Sequence, residues 1–142
     1  MKKILIVNSN YYKKISSYLV KEAKRILAKN NFEIYIIETP GIFEIPVTIS
    51  KYIKKYDAFV ALGCVIKGET PHFELICKST FESISKLSIN YKKPIGNGII
   101  TALNMKQAKA RSLNNLNTKK SNKGLEAAKA VIAVLKNEPK KT

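Results

Sequence analysis

The chain reads as an α/β protein, a three-layer αβα sandwich in which a four-stranded parallel sheet carries helices on both faces. Two observations predict this. Four apolar, partly β-branched runs, at Lys3 to Val7, Phe32 to Glu38, Ala58 to Ile66 and Ile95 to Thr101, have the character of buried strands. Between and after them lie segments whose apolar residues recur at helical spacing, giving the alternation βαβαβαβαα. At 142 residues the chain is one domain, long enough to bury roughly 70% of the surface its unfolded form exposes.

The first strand starts almost at the first residue, and Asn8-Ser9-Asn10-Tyr11-Tyr12 reads as the loop at its carboxyl end. From Lys13 to Lys29, Ile15, Tyr18, Leu19, Ile26 and Leu27 mark one face of a helix that Asn30-Asn31 ends. After the second strand, Thr39-Pro40-Gly41 is a turn. Glu44-Ile45-Pro46 is a helix start, since proline in the first turn has no hydrogen bond to lose, and Val47, Ile49, Tyr52 and Ile53 supply its inner face. The third strand breaks at Lys67-Gly68-Glu69-Thr70-Pro71. Phe73, Ile76, Cys77, Ile84 and Leu87 then mark a helix to about Asn90. In the fourth strand Gly96 and Gly98 flank Asn97, which implies that a ligand or another backbone approaches closely. Asn104 caps a short helix from Met105 to about Leu113, Asn114 to Lys120 is a polar connection, and Ser121 or Asn122 starts a last helix facing inward through Leu125, Ala128, Val131, Ile132 and Leu135. A frayed basic tail occupies 136–142.

The formal charge is +16, but all except two of the 26 Lys and Arg residues are lysines, spread from Lys2 to Lys141. Surfaces that read phosphates and bases more often use arginine forks, so the lysines read as solvated faces and no dedicated nucleic-acid binding is expected. A basic surface still draws small anions toward a cleft. Cys64 and Cys77 form no CxxC pair, and His72 is the only histidine; neither a disulfide framework nor a metal site is indicated. No apolar run approaches the roughly 18 residues of a membrane helix. Ile4 to Val7 is too short for a secretory core, and a cytoplasmic protein is expected.

In a parallel sheet, ligands bind outside the carboxyl ends of the strands. Tyr11, Ile42-Phe43-Glu44, Cys64-Val65-Ile66 and Asn97 are all assigned to that edge. An aromatic face to stack on and nearby backbone or carboxylate groups suit a heteroaromatic ligand, although Phe43 alone would more often be core and Glu44 is also an ordinary first-turn carboxylate. Gly68-Glu69-Thr70 precedes a helix, whose free N–H groups and positive dipole end can hold an anion, the Thr70 hydroxyl adding a donor. A lone His72 at a helix start is by itself more often structural than catalytic. Both cysteines sit in apolar patterns and read as small buried hydrophobes, Cys64 lending backbone to the pocket wall.

Three segments in order, Pro40-Gly41-Ile42-Phe43-Glu44-Ile45-Pro46, Gly63-Cys64-Val65-Ile66-Lys67-Gly68-Glu69-Thr70-Pro71-His72-Phe73 and Asn122-Lys123-Gly124, resemble the lumazine synthase family, and the resemblance runs from Lys3 to about Leu135. It implies a flavodoxin-like sheet of order 2-1-3-4 and a single such domain over 1–142. It also implies condensation of 5-amino-6-(D-ribitylamino)uracil with 3,4-dihydroxy-2-butanone 4-phosphate to 6,7-dimethyl-8-ribityllumazine, phosphate and water, with no cofactor. By position it assigns Tyr11 to stacking on the pyrimidine, Ile42, Phe43, Cys64, Val65, Ile66 and Asn97 to its pocket, Glu44 to the ribityl hydroxyls, and His72 to proton transfer. Glu69 (through its amide), Thr70, Arg111 and Lys123 fall to the butanone phosphate. Asn97 stands where many members carry Phe, and about four extra residues lie between Arg111 and Asn122. The family builds its sites between subunits of a pentamer, some members assembling twelve pentamers into a shell; the longer connection and the short N-terminus imply a free homopentamer here. The rival is a basic nucleotide- or RNA-binding module in which the glycine turn holds phosphate without catalysis.

Overall fold

The computed structural model describes residues 1–113 and 122–142. Parallel strands β1 (Lys3–Ser9), β2 (Glu33–Thr39), β3 (Ala58–Ile66) and β4 (Ile95–Ala102) lie in the order β2-β1-β3-β4. Helices α1 (Lys13–Lys29), α4 (Met105–Ser112) and α5 (Lys123–Lys136) cover one face, and α2 (Ile45–Tyr52) and α3 (His72–Tyr91) the other. The expected architecture and strand order are therefore observed. The connection at 114–121, with its extra residues and Ser121, lies outside the described residues.

The period of two in the strands sorts the core into two halves. Ile4, Ile6, Val60, Leu62 and Ile100 pack with Leu19, Leu27, Ala128 and Val131 under α1 and α5. The alternate residues Leu5, Val7, Phe59, Ala61 and Ile99 pack with Ile45, Ile49 and Ile84 under α2 and α3. Both faces of β1 and β3 are thus dry, as their unbroken apolar runs require.

Three boundaries differ from expectation for physical reasons. Asn8 and Ser9 belong to β1 rather than to the loop: the ladder continues through Asn8↔Glu38 and Ser9↔Thr39, and the Asn8 amide donates to Glu38 at 2.8 Å. A 3-10 turn at Ile42–Glu44 precedes α2, so Pro46 falls in the first turn of a helix that begins at Ile45. The last helix runs through Lys136, and the tail proper starts after it. Asn31, at φ 64°, turns the chain out of α1.

The close approach at Gly96 is to backbone. A Cβ there would stand 2.4 Å from the Ala127 carbonyl oxygen, so α5 rests directly on β4. On the opposite face, α3 buries only Thr80 and Ile84 fully, while Leu75, Ile89 and Tyr91, with Phe43 and Val47 nearby in the same layer, remain exposed. Phe73, Ile76, Cys77 and Leu87, expected inside, are half-buried because none of the described residues covers that side of the helix.

Candidate active site

A cleft of about 490 Å³ opens where the loops after β1 and β2 meet the carboxyl end of β3 and the first turn of α3. Tyr11, Ile42, Phe43, Glu44, Cys64, Val65, Ile66 and His72 all line it. Eight of the residues singled out from sequence thus share one cavity. Its walls also include Ser9, Tyr12 and Gly41, which adjoin the assigned residues, and Ile76, which the sequence marked only as part of the inner face of the helix.

The loop after β2 is shaped from its own residues. The Thr39 hydroxyl donates to the Gly41 carbonyl at 3.1 Å, and the Gly41 N–H donates to Glu44 Oε1 at 3.0 Å. One carboxylate oxygen is spent fixing the turn and the carboxylate is thereby held in place. Gly63 makes room underneath, since a Cβ on it would meet Ser9 Cβ at 2.9 Å and Ile42 Cγ2 at 3.0 Å. Ile42 can therefore drop onto β3 and anchor the loop, leaving Phe43 58% exposed at the rim, with Tyr11 at 73%. Two open aromatic faces at a largely apolar cleft suit a flat heteroaromatic ring. Tyr11 is steadied edge-on by Tyr12, their ring centroids 5.0 Å apart.

Below the rim, burial pushes the Cys64 thiol up to about 11. Burial, then the neighbouring Tyr11 and Cys64, raise the Tyr12 phenol. Burial, then Glu74, raises Cys77. Cys64 is therefore a neutral, apolar wall element at ordinary pH, as expected. Iodoacetamide at pH 8 should leave Cys64 of the native protein unmodified while labelling it in urea, as read by peptide mass spectrometry. Because the unfolded thiol ionises first, near 9.0, the folded state retains this proton across about pH 9 to 11. Stability present below that window should fall as pH rises through it, and Cys64→Ala should flatten that part of the decline.

The turn at 67–71 is exposed throughout. The Lys67 N–H donates to the Ala102 carbonyl at 2.9 Å, tying the start of the turn to the end of β4. The His72 N–H donates to Thr70 Oγ1 at 3.4 Å, and a Cβ on Gly68 would meet open space. Gly68, Glu69 and Thr70 are thus exposed residues at the head of α3, where the amino end of a helix favours an anion. The Lys67 and Glu74 side chains pair across this turn at 3.6 Å, both half-exposed, an interaction worth little in stability.

Five assigned residues do not line the cleft in their own chain: Glu69 and Thr70 sit on the exposed turn just before His72, and Arg111, Lys123 and Asn97 lie elsewhere. Arg111 lies on α4, its Nη1 donating to the Gln107 carbonyl at 3.1 Å. Lys123, at the start of α5, pairs with Glu126 at 3.6 Å. Both helices pack on the face of the sheet opposite α3. Asn97 corrects the sequence reading, because it does not sit at the carboxyl edge. It pairs with Ala61 in the middle of the ladder, on the edge strand, with its Oδ1 accepting from the Ile99 N–H at 3.1 Å. Register, which the sequence does not state, put it there.

A family model described as 6,7-dimethyl-8-ribityllumazine synthase matches residues 1–138. Among relatives bearing that name, the protein of Bartonella bacilliformis is 39% identical over 136 residues, covering 93% of this chain and 87% of its own length. Those of Zymomonas mobilis subsp. mobilis (38% over 136 residues, 94% of each chain) and Novosphingobium aromaticivorans (39% over 137 residues, 95% of each) are similar throughout.

Proposed function

The chain belongs to the 6,7-dimethyl-8-ribityllumazine synthase family, and from that premise we propose that the cleft rimmed by Tyr11 and Phe43 is its active site. The protein is a transferase of riboflavin biosynthesis that forms 6,7-dimethyl-8-ribityllumazine. 5-Amino-6-(D-ribitylamino)uracil stacks on Tyr11, its ring edge read by the Cys64-Val65-Ile66 strand end and the Ile42-Phe43 loop, and its ribityl hydroxyls donate to Glu44. 3,4-Dihydroxy-2-butanone 4-phosphate sets its phosphate on the amides and hydroxyl of Glu69 and Thr70. The uracil amine attacks the ketone, and loss of water gives the Schiff base. Phosphate then leaves, and ring closure expels a second water. His72, at the head of α3 between the two subsites, carries protons in these steps.

The observation that carries this reading is that the stacking aromatics, Glu44, the β3 strand end and His72 line one cavity. The amine is already a competent nucleophile, so most of the acceleration comes from holding two substrates in register. Mixing the purified protein with both substrates should therefore give lumazine fluorescence. His72→Ala should slow turnover by roughly tenfold to a hundredfold, at or below the low end of what a general acid–base ordinarily contributes. An unchanged rate for that variant across pH 5 to 9 would remove His72 from the mechanism.

Arg111, Lys123 and Asn97 complete the site from a neighbouring copy. Two features support this: all three lie away from the cleft of their own chain, and Leu75, Ile89 and Tyr91 leave an apolar side of α3 open. The assembly is a homopentamer in the cytoplasm, which sedimentation at about five times the 15.9 kDa chain and cell fractionation would check. Among the described residues no helix is long and apolar enough to cross a membrane.

A further inference from the structure

Tyr12, the residue before α1, lines the same cavity as Tyr11, Cys64 and His72. Its half-buried ring packs against the core under α1, which also holds Cys64, whereas Ile42 belongs to the core under α2 and α3. The Tyr12 wall and the Ile42-Phe43-Glu44 wall thus come from opposite faces of the sheet. The Tyr12 hydroxyl makes no hydrogen bond with a described residue. It is not sealed either: the buried side-chain atoms lacking a partner are Asn8 Oδ1 and Thr80 Oγ1, and the Tyr12 oxygen is open to water instead. Burial, then Tyr11 and Cys64, raise the phenol, so at ordinary pH it is a neutral donor with two cleft residues close to its polar end.

We infer that the Tyr12 hydroxyl donates to a ring carbonyl of the pyrimidine substrate and helps the site select it, an assignment that rests on the proposed active site. The planes of Tyr11 and Tyr12 are inclined at 73°. A ring lying flat on Tyr11 therefore cannot also stack on Tyr12, and Tyr12 is left to meet its edge. That edge carries two carbonyl oxygens, which need donors. Of the cleft side chains, Glu44 only accepts when ionised, and the Cys64 thiol is a weak donor. The Ser9 hydroxyl is directed at the Pro40 carbonyl at 3.4 Å. A stacked Tyr11 holds its own hydroxyl parallel to the ligand, away from the edge, and His72 is engaged in proton transfer. Tyr12 is the remaining strong donor, and a partly buried phenol ordinarily finds a partner.

Calorimetric titration of the assembled protein with 6,7-dimethyl-8-ribityllumazine, which keeps both pyrimidine carbonyls, tests this without turnover. Tyr12→Phe removes one oxygen and keeps the ring, and it should weaken binding about five- to tenfold, the worth of one neutral hydrogen bond. The same lumazine with a methyl group in place of the ribityl chain should lose affinity by that factor too, because the contact is to the ring. In kinetics the variant should raise KM for the uracil substrate by the same factor. Its kcat, its KM for the butanone phosphate and its melting temperature should stay at parental values, a split that a purely structural residue does not give. Equal affinity of parent and variant would overturn the assignment, as would a loss that vanishes with the methyl compound, or a rise in both KM values with a lower melting temperature. A parent that does not bind the lumazine would refute this contact and the proposed function together. A parent that binds it but forms none would refute the proposed reaction alone, and the titration would still decide the Tyr12 contact.

Discussion

Arg111→Ala is expected to raise KM for 3,4-dihydroxy-2-butanone 4-phosphate about a hundredfold, with a smaller change in KM for the uracil substrate. A guanidinium paired with phosphate through two charge-assisted hydrogen bonds contributes roughly 2 to 4 kcal/mol. What remains replaces it only in part: Lys123, assigned to the same phosphate, offers a point charge without the fork, Lys67 is drawn toward Glu74, and the amides of the 67–71 turn carry only partial charge. In its own chain the Arg111 guanidinium caps the Gln107 carbonyl one turn back on α4, a contact whose loss costs about 1 kcal/mol and leaves the fold intact. The effect should therefore appear in binding of one substrate and not in thermal stability. Steady-state kinetics with each substrate varied in turn would show it, and equal increases in both KM values would point to general damage. Arg111→Lys should recover only part of the loss, because an ammonium keeps the charge without the fork.

Gly124→Ala should destabilise the protein by about 3 kcal/mol, although alanine is ordinarily the better helix former by about 1 kcal/mol. Gly124 lies in the first turn of α5, against α1, and a Cβ there would stand 2.3 Å from the Leu19 carbonyl oxygen and 2.9 Å from its carbon. Both are backbone atoms in the middle of a helix, held by Leu19 at full burial in the core, so neither can swing aside. The start of α5 must lift. That strains Asn122, whose side chain caps Leu125 and donates to the Ser112 and Tyr18 carbonyls at 2.6 and 3.2 Å, and it moves Lys123 with it. Urea unfolding at fixed protein concentration would measure the loss. Gly68→Ala is the matched control, with nothing within 4 Å of the added methyl, and should stay within about 0.5 kcal/mol of the parent.

What the sequence made legible follows from what each signal encodes. Alternate residues of Ile4-Leu5-Ile6-Val7 go to opposite cores, so an unbroken apolar run by itself announces a doubly covered strand. The cleft was legible for the same reason, since strand ends and the loops after them are ordered along the chain. Asn8 and Ser9 were misassigned because polar residues at a strand end resemble loop; only the partner Glu38 reveals that Asn8 stays in the ladder. Asn97 was misplaced because chain order does not say how far along the sheet a residue falls. Arg111 and Lys123 were tied to the site by resemblance alone, and their positions on the far face of the sheet turn a question of sequence into one of assembly.

Mixed assemblies test that question most directly. Tyr11→Ala/Glu44→Ala breaks the cleft and leaves Arg111; Arg111→Glu breaks the phosphate contact and leaves the cleft. If one protomer's cleft takes Arg111 from its neighbour, unfolding the two nearly inactive variants together and refolding them one to one should restore about a quarter of parental lumazine formation, because about a quarter of adjacent pairs join an intact cleft to an intact arginine. Activity no higher than the average of the two variants would contradict the shared site.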